Sequence, residues 1–284
     1  MKSTFDLGRE GQKMSVQILP KPRIQLPDLK DKVAWITGAG SGIGHAAAML
    51  LAQQGMKVCL VDVKNNRLEQ TVKDITDAGG QAMTADVDVA DPARIAQAFE
   101  QTVKQWGRLD VVFANAGING VLAPIEDMKP EDWDRTLDVN LKGTFLSVKY
   151  AVPHMKQNGG SIIITSSING SRSFSGFGMT AYSTSKAGQV AFAKMAALEL
   201  ARYKIRVNAI CPGSIETNIK ENTQPTPELG KIKIPVKYPE GSQPLEHAPG
   251  KPEQVAELVA FLASEASSHI TGTELFIDGA ESLL

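Results

Sequence analysis

Seven short runs of apolar and β-branched residues recur along this chain, separated by longer stretches of helical period. The runs are "KVAWIT" (32–37), "KVCLVDV" (57–63), "QAMTADV" (81–87), "LDVVFANA" (109–116), "GSIIITSS" (160–167), "IRVNAI" (205–210) and "ELFIDG" (274–279). Helices are expected near 42–54, 65–78, 92–106, 131–157, 181–203 and 252–263. Strands this apolar at consecutive positions are covered on both faces, and helical crossovers between them return the chain in parallel. The pattern predicts an α/β fold: one doubly wound, seven-stranded parallel sheet with helices on both sides, whose ligands bind at the carboxyl ends of the strands.

With 284 residues the chain is long enough to bury one sizeable core. Residues 1–31 contain three prolines and no sustained period, so they read as an N-terminal arm, with Met14 a second candidate start. The sheet domain then spans 32–284. Between Gly213 and Pro252 the period is lost and prolines stand at 225, 227, 235, 239, 244 and 249. An irregular stretch of that length inside a compact domain is expected to be a substrate loop or lid, set at 213–251.

"TGAGSGIG" (37–44) follows the first run and opens the first helix. Gly38, Gly42 and Gly44 allow a tight turn and close approach of backbone to a pyrophosphate, which the amides and dipole at the helix start then hold. In this strand–turn–helix setting the sheet is expected to be Rossmann-like and its ligand a dinucleotide, the alternative being a purely structural turn. Asp62 ends the second run eighteen residues beyond Gly44, placed to accept hydrogen bonds from the adenosine ribose hydroxyls. The same carboxylate repels a 2′-phosphate, by about 4 kcal/mol at 4 Å and an effective dielectric near 20. Ala39, Gly40 and Ser41 fill the turn, and Lys64 and Arg67 are expected to point outward. NAD is therefore expected rather than NADP. Asp62 could also cap the next helix.

A formal net charge of −1 gives no electrostatic footprint for nucleic acid or an anionic membrane. The apolar runs are too short to span a bilayer and none follows a signal-peptide pattern, so a soluble cytoplasmic protein is expected. Cys59 and Cys211 sit in apolar segments and read as buried thiols; His45, His154, His247 and His269 are scattered, with no metal-ligand spacing.

"AYSTSKAG" (181–188) places Tyr182 and Lys186 four residues apart on one helix face, among small residues that let ligands come close. Moving a tyrosine pKa three units down from about 10 takes about 4 kcal/mol. One ammonium about 4 Å away at an effective dielectric of ~20 supplies a similar amount. By itself a Tyr-x-x-x-Lys reads as a surface helix with an exposed lysine; only together with the rest of the chain does the pair read as a tuned acid/base.

From about Val33 to its end the chain resembles the short-chain dehydrogenase/reductase family. The family's cofactor motif falls on Thr37, Gly38, Ser41, Gly42, Ile43 and Gly44, its "NAG" on Asn115, Ala116 and Gly117, and its adenine-reading aspartate on Asp86, followed by Val87. Its nicotinamide-side turn falls on "PGSIET", hence Pro212, Gly213, Ile215 and Thr217. The family's catalytic set falls on Asn140, Ser167, Tyr182 and Lys186, the last two also facing the cofactor. Ser167 is preferred over Ser166 because it stands just before x-x-Gly and because neighbouring strand residues face opposite ways. Ser167 and Tyr182 are fifteen apart, two more than is usual in the family, and the N-terminal arm is a further departure.

The resemblance implies hydride exchange between a secondary alcohol or ketone and NAD. Tyr182 would move the proton, Lys186 would lower the phenol's pKa and hold the nicotinamide ribose, Ser167 would orient the reacting oxygen, and Asn140 would position a water leading to solvent. The substrate wall is expected from "INGVLAP", residues 168–180 and the lid, with Phe174, Phe177 and Met179 supplying apolar surface and Asn119, Arg172, Glu216, Asn218 and Asn222 polar groups; the aromatics could equally be lid packing. Two alternatives stand beside this reading: an NADPH-dependent 3-ketoacyl-type reductase, and a non-catalytic cofactor-binding sensor on the same fold. The resemblance also implies a homotetramer built on the two long helices and on the last strand and tail, where Leu275, Ile277, Leu283 and Leu284 lie.

Overall fold

The computed structural model describes residues 24–63, 65–174, 176–234, 238 and 241–284. Seven strands form one parallel sheet: β1 (Val33–Thr37), β2 (Lys57–Asp62), β3 (Gln81–Asp86), β4 (Val111–Ala114), β6 (Gly160–Thr165), β7 (Ile205–Pro212) and β9 (Glu274–Ile277). Their order is β3-β2-β1-β4-β6-β7-β9, so the winding reverses between β1 and β4. All seven predicted strands are present. Two three-residue strands, β5 (Gly120–Leu122) and β8 (Thr223–Pro225), form a separate parallel pair.

Alternation along each strand divides the core in two. Val33, Trp35, Val112 and Ala114 face one side with helices α3 (Pro92–Trp106), α5 (Gly143–Met155) and α6 (Thr180–Leu200). Ala34, Ile36, Val111 and Phe113 face the other with α1 (Gly42–Gln53), α2 (Asn65–Asp77) and α7 (Pro252–Ala263). The helix boundaries follow local chemistry. Asp91 accepts from the amides of Ala93 and Arg94 to cap α3, Pro92 occupies its first turn, and Gly107 ends it in the left-handed conformation at φ 76°.

The helix expected over 131–157 is interrupted. It runs as α4 (Pro130–Leu137), a π-helical turn at Asp138–Lys142, and α5. Asn140 sits within that turn, which widens the backbone where α6 packs against it.

The segment predicted as an arm is described from Ile24 onward, and there it joins the core: Leu26 and Leu29 are buried, and Gln54 Oε1 accepts from the Leu26 amide at 2.8 Å. Residues 1–23, including Met14, lie outside the described residues, as do Lys64 and residues 235–237, 239 and 240 of the predicted lid. Within the lid, β8 is anchored by its pairing with β5, and Ile215 bridges to Gly250. No helix among the described residues is long and apolar enough to cross a membrane.

Candidate active site

The reversal of winding opens a crevice beyond the ends of β1 and β4, and Thr37 and Asn115 tie its two sides together. The Asn115 amide donates to Thr37 Oγ1 at 2.8 Å, Asn115 Nδ2 donates to the Thr37 carbonyl at 3.1 Å, and Asn115 Oδ1 accepts from Thr165 Oγ1. Next to this tie the glycine turn is folded so tightly that a Cβ on Gly44 would overlap the Gly38 carbonyl. Gly38 and Gly42 have φ of 65° and 52°, where a side chain would be strained.

At the adenosine end, Asp62 Oδ2 accepts from the Gly40 amide at 3.1 Å and Oδ1 from the Val63 amide at 2.7 Å. The carboxylate thus braces the glycine turn and still lines the cleft. Arg67 corrects the expectation that it points outward: it lines the cleft, because Glu221 of the lid draws its Nη2 in to 2.7 Å. Val87 lines the cleft, whereas Asp86 is exposed at the end of β3 and is not part of the lining. Asp88, which no sequence motif marks, does line it and pairs with Arg135 at 3.4 Å.

Ser167, Tyr182 and Lys186 of the predicted catalytic set meet between β6 and α6, while Asn140 reaches α6 from the π-turn through Ser185. Tyr182 and Lys186 are both buried on one face of α6, with Lys186 Nζ 5.6 Å from the phenol ring centroid. Ser167 shares a hydrogen bond with the phenol. Ser166 Oγ donates to the Lys186 carbonyl at 2.8 Å. Lys186 Nζ donates to the Thr165 carbonyl at 2.8 Å. A Cβ on Gly117 would lie 3.4 Å from that nitrogen and 3.2 Å from Asn140 Oδ1, so the Asn115–Ala116–Gly117 turn passes against both.

The electrostatics differ from the expected tuning. Burial pushes the Tyr182 phenol above its ordinary value, and the Ser167 hydrogen bond only partly opposes this. Burial also pushes Lys186 down, to about 7, with nearby Cys211 acting weakly in the other direction. The expectation of a lowered phenol considered the ammonium's attraction alone; in the folded protein both groups are enclosed, and loss of hydration disfavours the charge on each. Both predicted thiols are buried, which pushes Cys59 up to about 12 and Cys211 up to about 11.

Asn140 is fully enclosed and grips the backbone of Ile118 from both sides. Its Oδ1 accepts from the Ile118 amide at 2.8 Å, and its Nδ2 donates to the Ile118 carbonyl and to Ser185 Oγ, each at 2.9 Å.

Pro212, Gly213, Ile215 and Thr217 line the opposite wall. A Cβ on Gly42 would come within 3.0 Å of Thr217 Cγ2, so the glycine turn and the start of the lid nearly touch across the cleft. Glu281, near the chain's end, reaches back to this wall, accepting from the Ser214 amide at 2.7 Å through Oε2. No local pattern marked it in the sequence. Of the expected substrate wall, Asn119, Met179, Glu216, Asn218 and Asn222 line the cleft. Phe174 is 69% exposed, Phe177 is not part of the lining, and the Arg172 guanidinium stacks 3.5 Å over the Phe276 ring.

The cleft measures about 1010 Å³ and runs continuously from Asp62 and Val87 past the glycine turn to Tyr182 and the lid. That run, with amide donors at the start of α1 and a carboxylate at the end of β2, fits an extended dinucleotide with a small molecule beyond it. Among the described residues no group of three His, Cys, Asp or Glu could hold a metal ion.

A family model described as enoyl-(acyl carrier protein) reductase matches residues 38–280. The chain is 37% identical over 259 residues to a cyclohexanol dehydrogenase of an Acinetobacter species, covering 91% of this chain and 98% of that one. It resembles the crystal structure of a 3-ketoacyl-ACP reductase from Sinorhizobium meliloti, with a TM-score of 0.84, 47% identity, and 88% and 99% of the two chains covered. It also resembles a 3-ketoacyl-(acyl-carrier-protein) reductase from Brucella melitensis complexed with NADH, with a TM-score of 0.79, 32% identity, and 89% and 99% covered.

Proposed function

Since the chain belongs to the short-chain dehydrogenase/reductase family of oxidoreductases, we propose that it uses NAD to interconvert a small secondary alcohol and its ketone, with Tyr182 as acid/base. The observation that carries this reading is the buried Tyr182 phenol, hydrogen-bonded to Ser167 and set one helical turn from Lys186 at the floor of the cleft.

Gly38, Ser41, Gly42, Ile43 and Gly44 would hold the pyrophosphate, Asp62 the adenosine ribose, and Val87 with Asn115, Ala116 and Gly117 one side of the dinucleotide. Asp86 would serve the adenine from the rim. Pro212, Gly213, Ile215 and Thr217 would hold the nicotinamide end. Held by these residues, the nicotinamide would supply the hydride chemistry. The phenol moves the proton to or from the substrate oxygen, and Ser167 Oγ orients that same oxygen. Lys186 is the cation nearest the phenol and would also hold the nicotinamide ribose. Asn140 would keep the Gly117–Ile118 wall in place and position a water leading from Lys186 to solvent.

Asp62 at the end of β2 supports NAD over NADP. The arrangement of Arg67 favours the second reading, an NADPH-dependent 3-ketoacyl-type reductase, since this side chain lines the cleft and its Cβ stands 3.2 Å from where a Cβ on Gly40 would lie. Initial rates with NAD and NADP over a panel of secondary alcohols, and with NADH and NADPH over ketones and 3-ketoacyl thioesters, separate the two. Tight cofactor binding with no turnover on either panel would return the non-catalytic reading.

The tetramer expectation is supported by exposed apolar side chains on the two long helices and the tail: Phe145, Met195, Leu198, Leu283 and Leu284. A light-scattering mass of four chains is the expected result. We assign the arm to residues 1–31, with Leu26 and Leu29 seated in the core of the dehydrogenase domain, that domain to 32–284 with its lid at 213–251, and the location to the cytoplasm.

A further inference from the structure

Gln189 lies on α6 three residues beyond Lys186, on the same face, and its side chain is fully buried. Its Nε2 donates to the Asn140 carbonyl at 2.9 Å and to Thr144 Oγ1 at 2.6 Å. Thr144 Oγ1 spends its own proton on the same carbonyl, at 2.8 Å. Both groups facing the amide are therefore acceptors toward it, and only its NH2 end can meet them. The other end, Oε1, is buried without a hydrogen-bond partner among the described residues.

An unpaired buried carbonyl oxygen destabilises a fold, and a leucine of similar bulk would not carry one. The amide is thus a poor choice for packing alone, and its use lies in its two donors. Those donors hold the backbone of Asn140 in the π-turn, while the Asn140 side chain grips Ile118 on both sides. Ile118 follows Gly117, which passes against Lys186 Nζ. The helix that carries Tyr182 and Lys186 is in this way fastened to the wall beside Lys186.

We propose that Gln189 is a positioning residue for the reaction: from α6 it pins the Asn140 backbone, and through it the Gly117–Ile118 wall beside Lys186. The proposal rests on the oxidoreductase reading above, so its test has one arm independent of turnover. In cofactor-free protein, Gln189→Leu is expected to speed amide exchange at 138–142 and Ile118 at least fivefold, with the remainder of α6 unchanged. In turnover it lowers kcat at least tenfold, with Kd for NAD and KM for the alcohol within twofold and the thermal midpoint no lower than wild type. Gln189→Glu tests the same pin by another route and stands in if the leucine variant does not fold. Its carboxyl donates to the Asn140 carbonyl only when protonated, so its kcat relative to wild type rises as pH falls. A leucine variant with kcat within twofold of wild type and unaltered exchange at 138–142 overturns the proposal. So does a loss of kcat accompanied by a lower midpoint and faster exchange along all of α6, which marks a packing role. A wild-type protein that turns over no alcohol or ketone sinks the functional reading instead, and the exchange arm then decides the pin by itself.

Discussion

Arg67 Nη2 and Glu221 Oε2 meet at 2.7 Å across 154 residues of chain, joining the first turn of α2 to the lid. Glu221 Oε1 also accepts from Asn218 Nδ2 at 2.9 Å, which fixes the carboxylate's orientation. Both side chains of the pair are partly exposed, so its worth in stability is small, at most about 1 kcal/mol. Its consequence is positional: it keeps a guanidinium at the adenosine end of the cleft yet already engaged. Glu221→Gln removes the competing charge and leaves Arg67 able to form a bidentate pair with a 2′-phosphate. The ratio of kcat/KM for NADP to that for NAD should rise about tenfold, equivalent to about 1.4 kcal/mol. Initial-rate kinetics at low ionic strength measure it, and an unchanged ratio removes Arg67 from cofactor choice.

Tyr182→Phe keeps the ring that α6 buries and removes only the hydroxyl that meets Ser167. Loss of a positioned acid/base costs about two to four orders of magnitude in kcat. NAD should bind to the variant within a few-fold of wild type, as read by quenching of tryptophan fluorescence. Near-full turnover would take the proton transfer away from this residue.

The central sheet was legible because a strand buried on both faces has nothing polar to show along its length. Val58 to Val61 and Ile162 to Ile164 are apolar at consecutive positions, and both runs lie in parallel strands of the core. Tyr182 and Lys186 were legible because helical spacing alone puts them on one face. The π-turn was not: one extra residue in a helical turn leaves the apolar period of 131–157 almost intact, so Asn140 reads as an ordinary helix position. Arg67 was misread because its direction is set by Glu221, far along the chain. Glu281 gave no signal for the same reason, since its partner is a backbone amide that no side-chain pattern can announce. β5 and β8 are too short to show alternation, and β8 ends on a proline.

Burial of Lys186 couples folding to pH. Its ammonium ionises at about 7 in the folded protein and near 10.5 in the unfolded chain. Between these values the unfolded state holds the extra proton, so stability of the cofactor-free protein should rise as pH climbs from about 7 towards 10. Above pH ~10 the raised phenol of Tyr182 acts in the opposite sense, because the unfolded chain releases that proton first. Urea midpoints measured across this range should show the rise in wild type and a flatter profile in Lys186→Met. Parallel profiles for the two proteins would mean that Lys186 is hydrated in the folded state.

Glu281 tests how far the chain's end contributes to the cleft. Its Oε2 accepts from the Ser214 amide at 2.7 Å and would lie 2.5 Å from a Cβ on Gly213, so the carboxylate is pressed against the Pro212–Gly213 turn. That turn forms the wall opposite Tyr182, and Gly213 accommodates both the tail and any group bound in front of it. Glu281→Ala deprives the Ser214 amide of a charged acceptor, a loss of about 1.5–3 kcal/mol when such a bond is intact and sheltered. The carboxylate here borders solvent, so the low end of that range applies and KM for the dinucleotide should rise about tenfold. The acid/base set is untouched, so kcat at saturating cofactor should fall less than threefold. Glu281→Gln retains an acceptor oxygen and should recover most of the affinity. If alanine and glutamine variants both bind dinucleotide as wild type does, the tail only covers the turn and does not hold it.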